Sequence, residues 1–304
     1  GLRAGNVVGD RPLRAATRLL RSALGTELVP AWPGGMPGPA RALPATAREG
    51  AAAVYLPTCV NRIFGHAPGA ARESTLPEAL AAVSARAGLP VWIPPDAAGH
   101  CCGTPWSSKG YRAGHEFMAN HTVDALWRWT EDGRLPVVID ASSCTLGLVD
   151  DTAAQLDEAN RARHERLQLL DSVSWAHDRL LPGLTVQRRL RAAAVHPPCA
   201  ARHMRLTGKL ERLAAAVADE VFVPAAATCC GFAGDRGLLH PELPRAATAD
   251  EAAELRGRDI DAHLCSNRTC EIGLQQGTGA AFESFVFALE QATRPLAAGD
   301  AGLP

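Results

Sequence analysis

The sequence has no excess of charge of either sign and no long apolar run. Lysine and arginine total 31 and aspartate and glutamate total 32, so the formal net charge is -1, which argues against a broad electrostatic surface for nucleic acid or anionic lipid. No stretch of 18 apolar residues is present to span a bilayer. Residues 1–14 have neither an apolar signal-peptide segment nor an initiator Met. We therefore expect no secretory leader, and the sequence is consistent with a piece of a longer protein.

Two common cofactor motifs are absent as well. The sequence has no Gly-x-Gly-x-x-Gly element of the dinucleotide-binding kind and no Cys-x-x-Cys-x-x-Cys run of the ferredoxin kind. Neither a flavin site nor a ferredoxin-type cluster is therefore expected within these residues. We accordingly do not expect catalysis by this chain alone.

The chain nevertheless has the composition of a globular protein. Of its 304 residues, 47% are hydrophobic and 21% are charged, which excludes collagen-like and disordered classes. Domains average roughly 150 residues, so this length favours two of them. Nine cysteines stand out against only 3 Met and 2 Tyr.

Short apolar runs alternate with amphipathic stretches from residue 51 onward. Thr75–Ala87 has a helical pattern, with Glu78 three residues after a capping threonine, and Phe117–Trp129 has another, with Phe117 and Trp129 on its apolar face. The predicted strands are Ala52–Leu56, Pro90–Ile93, Pro136–Ile139, Ala192–Val195, Glu220–Val223 and Ala262–Leu264. This alternation predicts an α/β fold of mostly parallel sheets flanked by helices.

The two halves of the chain resemble each other. The run AAAVYLPTC at residues 51–59 matches AAAVHPPC at 192–199, and a Cys-Cys-Gly follows each run, at 101–103 and at 229–231. Such internal similarity indicates a duplication, and it predicts two pseudo-symmetric domains.

The same comparison sets the expected domain limits. Residues 1–50 contain a helix from Asp10 that ends before Gly25, followed by a Pro- and Gly-rich linker. The first repeat then covers 51–190 and the second covers 191–304. Near the end of the two repeats, the alignment of one with the other pairs Asp171 of the first repeat with Glu283 of the second.

Eight of the nine cysteines occupy equivalent places in the two repeats, each shortly after a predicted strand. The first set is Cys59, Cys101, Cys102 and Cys144, and the second set is Cys199, Cys229, Cys230 and Cys270. The carboxyl ends of parallel strands meet along one edge of a sheet, so we expect the four thiols of each set to converge there. Thiolates are ligands for soft metals, which predicts an iron–sulfur or zinc site in each half.

Simpler interpretations of these cysteines carry less weight. Free cysteine is often buried as a small hydrophobic residue, but core packing alone does not explain the same pattern after three strands in both halves. Disulfides fit poorly with an odd number of cysteines and a chain of intracellular character. The absence of Cys-x-x-Cys pairs also disfavours a small zinc finger.

These motifs resemble those of a known family. Both halves are similar to the cysteine-rich CCG domain, which occurs twice in the B subunit of heterodisulfide reductase, in the glycolate oxidase iron–sulfur subunit and in FAD-linked D-lactate or D-2-hydroxyacid dehydrogenases. The segments that carry the likeness are YLPTCVNRIFG at 55–65, GHCCGTPW at 99–106 and CSNRTC at 265–270. The likeness covers about residues 50–295 and is strongest to the C-terminal region of long FAD-linked oxidases.

The resemblance implies that the cysteines bind iron–sulfur clusters of the 4Fe-4S type, cubane or non-cubane, which pass electrons onward. It implies FAD on a separate domain or subunit, a ferredoxin-like domain and a downstream electron acceptor as partners, and D-lactate as the favoured substrate. It also implies a cytoplasmic location, peripheral to the inner membrane through those partners.

One departure from the family pattern keeps alternatives open. In the heterodisulfide reductase relatives the last motif is Cys-x-x-Cys, whereas Ala141 and Asn267 occupy the first of these cysteine positions here. Four-thiolate cubane binding, or zinc in one half, remains open as a result. A thiol–disulfide reductase like heterodisulfide reductase and a structural zinc-binding protein are the rival functions.

Several other residues are candidates for roles near the cysteines. Gly103 and Gly231 are expected to allow positive φ or a close cofactor approach. Lys109 and Arg236 are candidates to neutralise an anionic cluster or a substrate carboxylate, and a solvated loop charge is the alternative role. Two histidines next to the motifs, His100 and His196, could tune or replace a ligand, although a loop hydrogen bond is the more common role. The ninth cysteine, Cys265, is expected to pack in the sheet as a small apolar residue. The alternative that the family resemblance offers is that it replaces the missing first thiol of Cys-x-x-Cys as a ligand.

Overall fold

The computed structural model describes residue 2 and residues 8–67 and 74–296. Helix α1 (Asp10–Leu24) ends at Gly25, as the sequence predicts. The Pro- and Gly-rich segment at 27–46 is irregular, with one antiparallel bridge from Pro39 to Phe64.

The two halves have the same sheet topology, which confirms the predicted α/β fold of parallel sheets. The strands of the first sheet are β1 (Ala53–Leu56), β2 (Val91–Trp92), β3 (Val137–Ile139) and β4 (Leu169–Asp171). Those of the second are β5 (Leu190–Val195), β6 (Ala218–Phe222), β7 (Ala262–Cys265) and β8 (Phe282–Ser284). Their spatial orders are β2-β1-β3-β4 and β6-β5-β7-β8, and every pairing is parallel. All carboxyl ends within a sheet therefore lie along one edge.

Helices connect the strands. In the first half they are α2 (Cys59–Ile63), α3 (Leu76–Arg86), α4 (Thr104–Ser107), α5 (Arg112–Trp129), α6 (Ser142–Leu146), α7 (Glu158–His164) and α8 (Ser172–Trp175). In the second half they are α9 (Cys199–His203), α10 (Thr207–Val217), α11 (Arg236–Leu239), α12 (Glu242–Ala247), α13 (Ala249–Leu255), α14 (Arg268–Thr278) and α15 (Phe285–Thr293). Thr75 and Glu78 form the predicted capping box at the start of α3. No helix in the part of the chain that the structure describes is long and apolar enough to cross a bilayer.

Three sequence-based expectations need correction. Strands β4 and β8 were not predicted, because three residues are too few to show a periodic pattern. The register pairs Ile139 with Asp171 and Cys265 with Ser284, so Asp171 corresponds to Ser284 and not to Glu283. Phe117 is exposed on the outer side of α5, where its ring stacks on the ring of His121.

The two halves share one hydrophobic core. Buried residues of both sheets, including Val54 and Val195, belong to one contiguous apolar cluster. Arg86 in the first half pairs with Glu290 in the second at 3.0 Å and donates a hydrogen bond to the hydroxyl of Thr293 at 2.6 Å. The halves are thus duplicated in topology but packed together as one body.

Candidate metal centre

The four cysteines of the first set converge at the carboxyl edge of the first sheet. Together with His100 they line one cavity of about 10 Å³, which is room for about one water molecule. The sulfurs of Cys59 and Cys101 are 3.9 Å apart, and the thiol of Cys102 hydrogen-bonds with those of Cys101 and Cys144. The structure thus joins all four predicted thiols in one chain of contacts.

Hydrogen bonds between neighbouring thiols give Cys59, Cys101 and Cys102 different pKa values. Hydrogen bonds from Cys102 and Cys59, supported by the backbone N–H of Gly103 and the charge of Arg62, lower the pKa of Cys101. The same hydrogen bonds raise the pKa of Cys59 and of Cys102, and burial raises both further. Cys101 is therefore the thiolate end of the set, and the thiolate is the form that binds metals.

A buried carboxylate holds the first set in place. Asp140, at the end of β3, accepts hydrogen bonds from the hydroxyl of Tyr55 at 2.6 Å and from the backbone N–H of Thr58 at 2.9 Å. Burial raises the pKa of Asp140 in spite of these donors. Since Thr58 precedes Cys59 and Asp140 lies four residues before Cys144, this network fixes the ends of β1 and β3 relative to each other.

Both candidate glycines adopt positive φ, +82° at Gly103 and +65° at Gly231. A Cβ at Gly103 would lie 2.6 Å from the ring of His115, and one at Gly231 would lie 2.7 Å from the carbonyl oxygen of Leu243. Each glycine is thus required by backbone conformation and by close protein neighbours.

The second set is assembled differently. Side-chain hydrogen bonds link Cys229 to Cys230, Cys230 to Cys270, and Cys270 to Cys265. Cys199, at the start of α9, is exposed, and none of the described contacts joins its sulfur to another cysteine. Cys265 is fully buried in an apolar cluster with Cys230 and Cys270, so it packs as expected and also contacts a predicted ligand.

Three thiols of the second half, those of Cys229, Cys265 and Cys270, have raised pKa values. The hydrogen bond with Cys230 lowers the pKa of Cys270, but the hydrogen bond with Cys265 and burial outweigh it, so the pKa is raised. The pKa of Cys229 is raised by hydrogen bonding to Cys230 and by burial. Burial also raises the pKa of Cys265. Because metals bind the thiolate, a metal that enters this half must displace the protons of these thiols.

The charged candidates lie at the surface between the halves. Lys109 pairs with Asp235 at 3.0 Å, so its ammonium group already has a carboxylate partner from the other half. Arg236 is the first residue of the short helix α11, directly after that aspartate. His100 lines the first cavity and stacks on His121, and burial, followed by the charge of His121, lowers its pKa to about 4.

Sequence analysis missed the residues that connect the two cysteine sets. The hydroxyls of Ser142 and Ser266 are 2.8 Å apart, and the hydroxyl of Ser143 donates to Asn267 Oδ1 at 2.7 Å. The side-chain amide of Asn267 in turn donates to the sulfur of Cys270 at 3.2 Å. The one available signal was the asparagine at the position where the heterodisulfide reductase relatives have a cysteine.

The donor chemistry of these sites suits iron–sulfur clusters, which cysteine thiolates hold. Among residues 8–67 and 74–296, no group of three His, Cys, Asp or Glu side chains is placed to hold a single metal ion. The thiols as arranged thus do not form a finished single-ion site. In an iron–sulfur cluster the thiolates bind different iron atoms and need not meet at one ion. Four thiols that line one cavity are compatible with such binding.

Two curated proteins are similar to this chain over part of its length. It is 27% identical over 223 residues to the glycolate oxidase iron-sulfur subunit of Escherichia coli K12, covering 70% of this chain and 53% of that protein. It is 23% identical over 196 residues to the C subunit of the anaerobic glycerol-3-phosphate dehydrogenase of the same strain, covering 63% of this chain and 49% of that protein. The chain therefore spans about half the length of the curated relatives it matches.

The family match covers both cysteine sets. The cysteine-rich CCG domain matches at residues 53–149 and again at 193–275, and these two ranges include all nine cysteines. The resemblance inferred from the motifs is thereby confirmed, and the chain belongs to the CCG cysteine-rich domain family.

Proposed function

We propose that this chain is an iron–sulfur electron-transfer module that works with an FAD-dependent 2-hydroxyacid dehydrogenase. The observation that carries this proposal is the convergence of Cys59, Cys101, Cys102 and Cys144 on one cavity at a sheet edge. Duplicated thiol sets in one rigid core suit a carrier that exchanges electrons without changing shape. The names of the two curated relatives support an oxidoreductase with several subunits.

In this proposal the chain relays electrons and another domain or subunit does the chemistry. FAD on that partner oxidises the substrate, with D-lactate or another D-2-hydroxyacid favoured. A ferredoxin-like domain and a downstream acceptor complete the electron path. The complex is cytoplasmic and reaches the inner membrane through its partners.

Each half has its own part in the proposal. Repeat 51–190 holds one cluster of the 4Fe-4S type. Repeat 191–304 holds a second site, for a cluster or for zinc. A bound cluster supplies one-electron carriage. The chain's own residues provide the thiolates, and burial keeps water from four of the eight sulfurs, those of Cys102, Cys144, Cys230 and Cys270.

Anaerobic reconstitution with iron and sulfide tests the cofactor. The expected product is a brown protein whose visible absorption bleaches on reduction. A colourless protein that takes up zinc and no iron would contradict the proposal.

Adding a partner tests the direction of electron flow. With an FAD-containing D-2-hydroxyacid dehydrogenase present, D-lactate is expected to bleach the chromophore faster than glycolate or glycerol 3-phosphate does. Equal rates would remove the D-lactate assignment but keep the relay. Turnover of a disulfide substrate by the chain alone would instead indicate a thiol–disulfide reductase.

A further inference from the structure

His196 and Glu251 form a fully buried pair beside the second cysteine set. The carboxylate of Glu251 lies 2.9 and 3.0 Å from Nδ1 of His196, and the two side chains are 0% and 1% exposed. The other ring nitrogen, Nε2, is buried and has no hydrogen-bond partner among the described residues. A buried polar atom without a partner costs about 1–3 kcal/mol, so this nitrogen requires an explanation.

The pairing with Glu251 fixes what Nε2 can do. A carboxylate only accepts hydrogen bonds, so the proton of the neutral ring lies on Nδ1 and a lone pair is left on Nε2. Metal-bound histidines have this arrangement, with the distal nitrogen donating to a carboxylate that orients the ring.

The position of His196 in the sheet places its ring among the cysteines. It directly follows β5, which lies between β6 and β7, and its backbone N–H donates to the carbonyl of Leu264 at 2.9 Å. Side chains two residues apart on a strand share a face, and Ala194 belongs to the apolar cluster that contains Cys230, Cys265 and Cys270. The imidazole therefore faces the side of the sheet that holds the buried thiols.

A further observation links the ring to the second set. Val195 pairs with Leu264 in the register of β5 and β7, so the next residues along these strands, His196 and Cys265, are neighbours. In the first half the residue at the same register is Leu56, which pairs with Ile139 and has no polar side-chain atom. A free nitrogen donor at this position is thus a feature of the second half alone.

We propose that Nε2 of His196 is an iron ligand of the second site, beside the thiolates of Cys229, Cys230 and Cys270, and that Glu251 is the positioning residue for its ring. This assignment rests on the proposed iron–sulfur function. It gives the second site one nitrogen donor and makes its cluster electronically different from that of the first half.

Pulsed EPR of the reduced, iron- and sulfide-reconstituted full chain tests the assignment. The wild-type protein is made with natural-abundance histidine and with ¹⁵N-histidine, so that a coupling that changes with the label reports a histidine nitrogen. That coupling is expected to disappear in His196→Gln and to persist in His263→Gln. His263 is a matched control because its ring also packs against Phe282. It pairs with Ala194, so it lies two residues further from the carboxyl edge of the sheet than His196.

Two more variants keep the test decisive if His196→Gln does not fold. The double variant His100→Gln/His263→Gln leaves His196 in place and is expected to retain the coupling. Glu251→Gln still accepts from Nδ1 and is expected to retain the coupling with a changed magnitude, as a positioning role requires. Loss of the coupling in the double variant would overturn the assignment.

The outcomes separate this inference from the proposed function. A wild-type protein that forms no reducible chromophore would overturn both. A reducible chromophore with no histidine coupling, or with a coupling unchanged in folded His196→Gln, would overturn the ligand assignment alone.

Discussion

Ser143 and Asn267 join the two halves of the molecule between the two cysteine sets. The serine hydroxyl donates to the asparagine Oδ1 at 2.7 Å, and the Nδ2 of the same asparagine donates to Cys270 at 3.2 Å. Ser143 immediately precedes Cys144, so a single side chain connects a position beside one set to a sulfur of the other. This link also makes the relative placement of the halves part of the site.

Removing that link should destabilise the protein. Asn267→Ala leaves the partly buried hydroxyl of Ser143 and the buried sulfur of Cys270 without this partner, and we expect a loss of about 1–3 kcal/mol in the free energy of unfolding. Ser143→Ala is the matched control, because the backbone N–H of residue 143 still points at Asn267 Oδ1 from 3.4 Å. Urea unfolding of the metal-free proteins measures both. Equal losses in the two variants would show that the asparagine–sulfur contact contributes nothing.

Asp171 should make stability fall as pH rises from about 4 to about 6. Burial raises its pKa from 3.8 to about 6, so within this window the folded state holds a proton that the unfolded chain has released. By linkage the free energy of unfolding then decreases by up to about 3 kcal/mol across the window. Asp171→Asn keeps an oxygen to accept from the N–H of Val173 and should lack this decrease.

The comparison for Asp171 is made by urea unfolding at pH 4, 5, 6 and 7. Ser284→Ala removes the equivalent helix cap of the second half without removing an ionisable group, so its cost should be independent of pH. A difference between wild type and Asp171→Asn that stays constant from pH 4 to 7 would refute the raised pKa.

Gly231 and Gly234, in the second Cys-Cys-Gly loop, both have positive φ, but only Gly231 has close neighbours. Alanine substitutions at the two positions therefore distinguish the cost of backbone strain from the cost of steric overlap. Gly234 has φ +74°, and a Cβ added there would meet nothing within 4 Å, whereas a Cβ added at Gly231 would lie 2.8 Å from Cα of Pro244. Gly234→Ala should cost about 1–2 kcal/mol from the left-handed backbone alone. Gly231→Ala should cost about 1–3 kcal/mol more because of the overpacking, and urea unfolding that found equal costs would disprove the close approach.

The Lys109–Asp235 pair should contribute little. Its side chains are 44% and 54% exposed, and exposed ion pairs contribute at most about 1 kcal/mol. Lys109→Ala and Asp235→Ala are expected to have similar small effects on unfolding that vanish in about 1 M salt. If Lys109 instead acts on a bound cluster, Lys109→Ala will shift the midpoint potential of the reconstituted protein while Asp235→Ala will not.

The sequence predicted the elements that are long or repeated. Six strands and the capping box of Thr75 were found because apolar runs and caps are local signals, and the first cysteine set followed from the rule that parallel strand ends share an edge. The arrangement of the second set did not follow in the same way. The exposure of Cys199, the contact of Cys265 with Cys270 and the free nitrogen of His196 depend on how β5, β7 and α13 pack, and no local pattern specifies that packing.

The bridge through Asn267 escaped prediction for a related reason. Its partners Ser143 and Cys270 lie in different halves. Aligning the two repeats shows which residues are equivalent, but it does not show which residues are in contact. The same limitation misaligned Asp171 by one residue, since only the strand register shows that Ser284 is its counterpart.

The most direct test of the account is the iron and acid-labile sulfide content of the reconstituted chain when one buried thiol of each set is replaced. Serine is a harder and poorly ionised ligand of nearly the same shape, so Cys102→Ser and Cys230→Ser should each remove one half's share of the iron, and the double variant should remove nearly all of it. Cys265→Ala, the matched control at a buried cysteine outside the predicted ligands, should keep full iron. A folded double variant with the full iron content of the wild type would contradict the assignment of these cysteine sets as cluster sites.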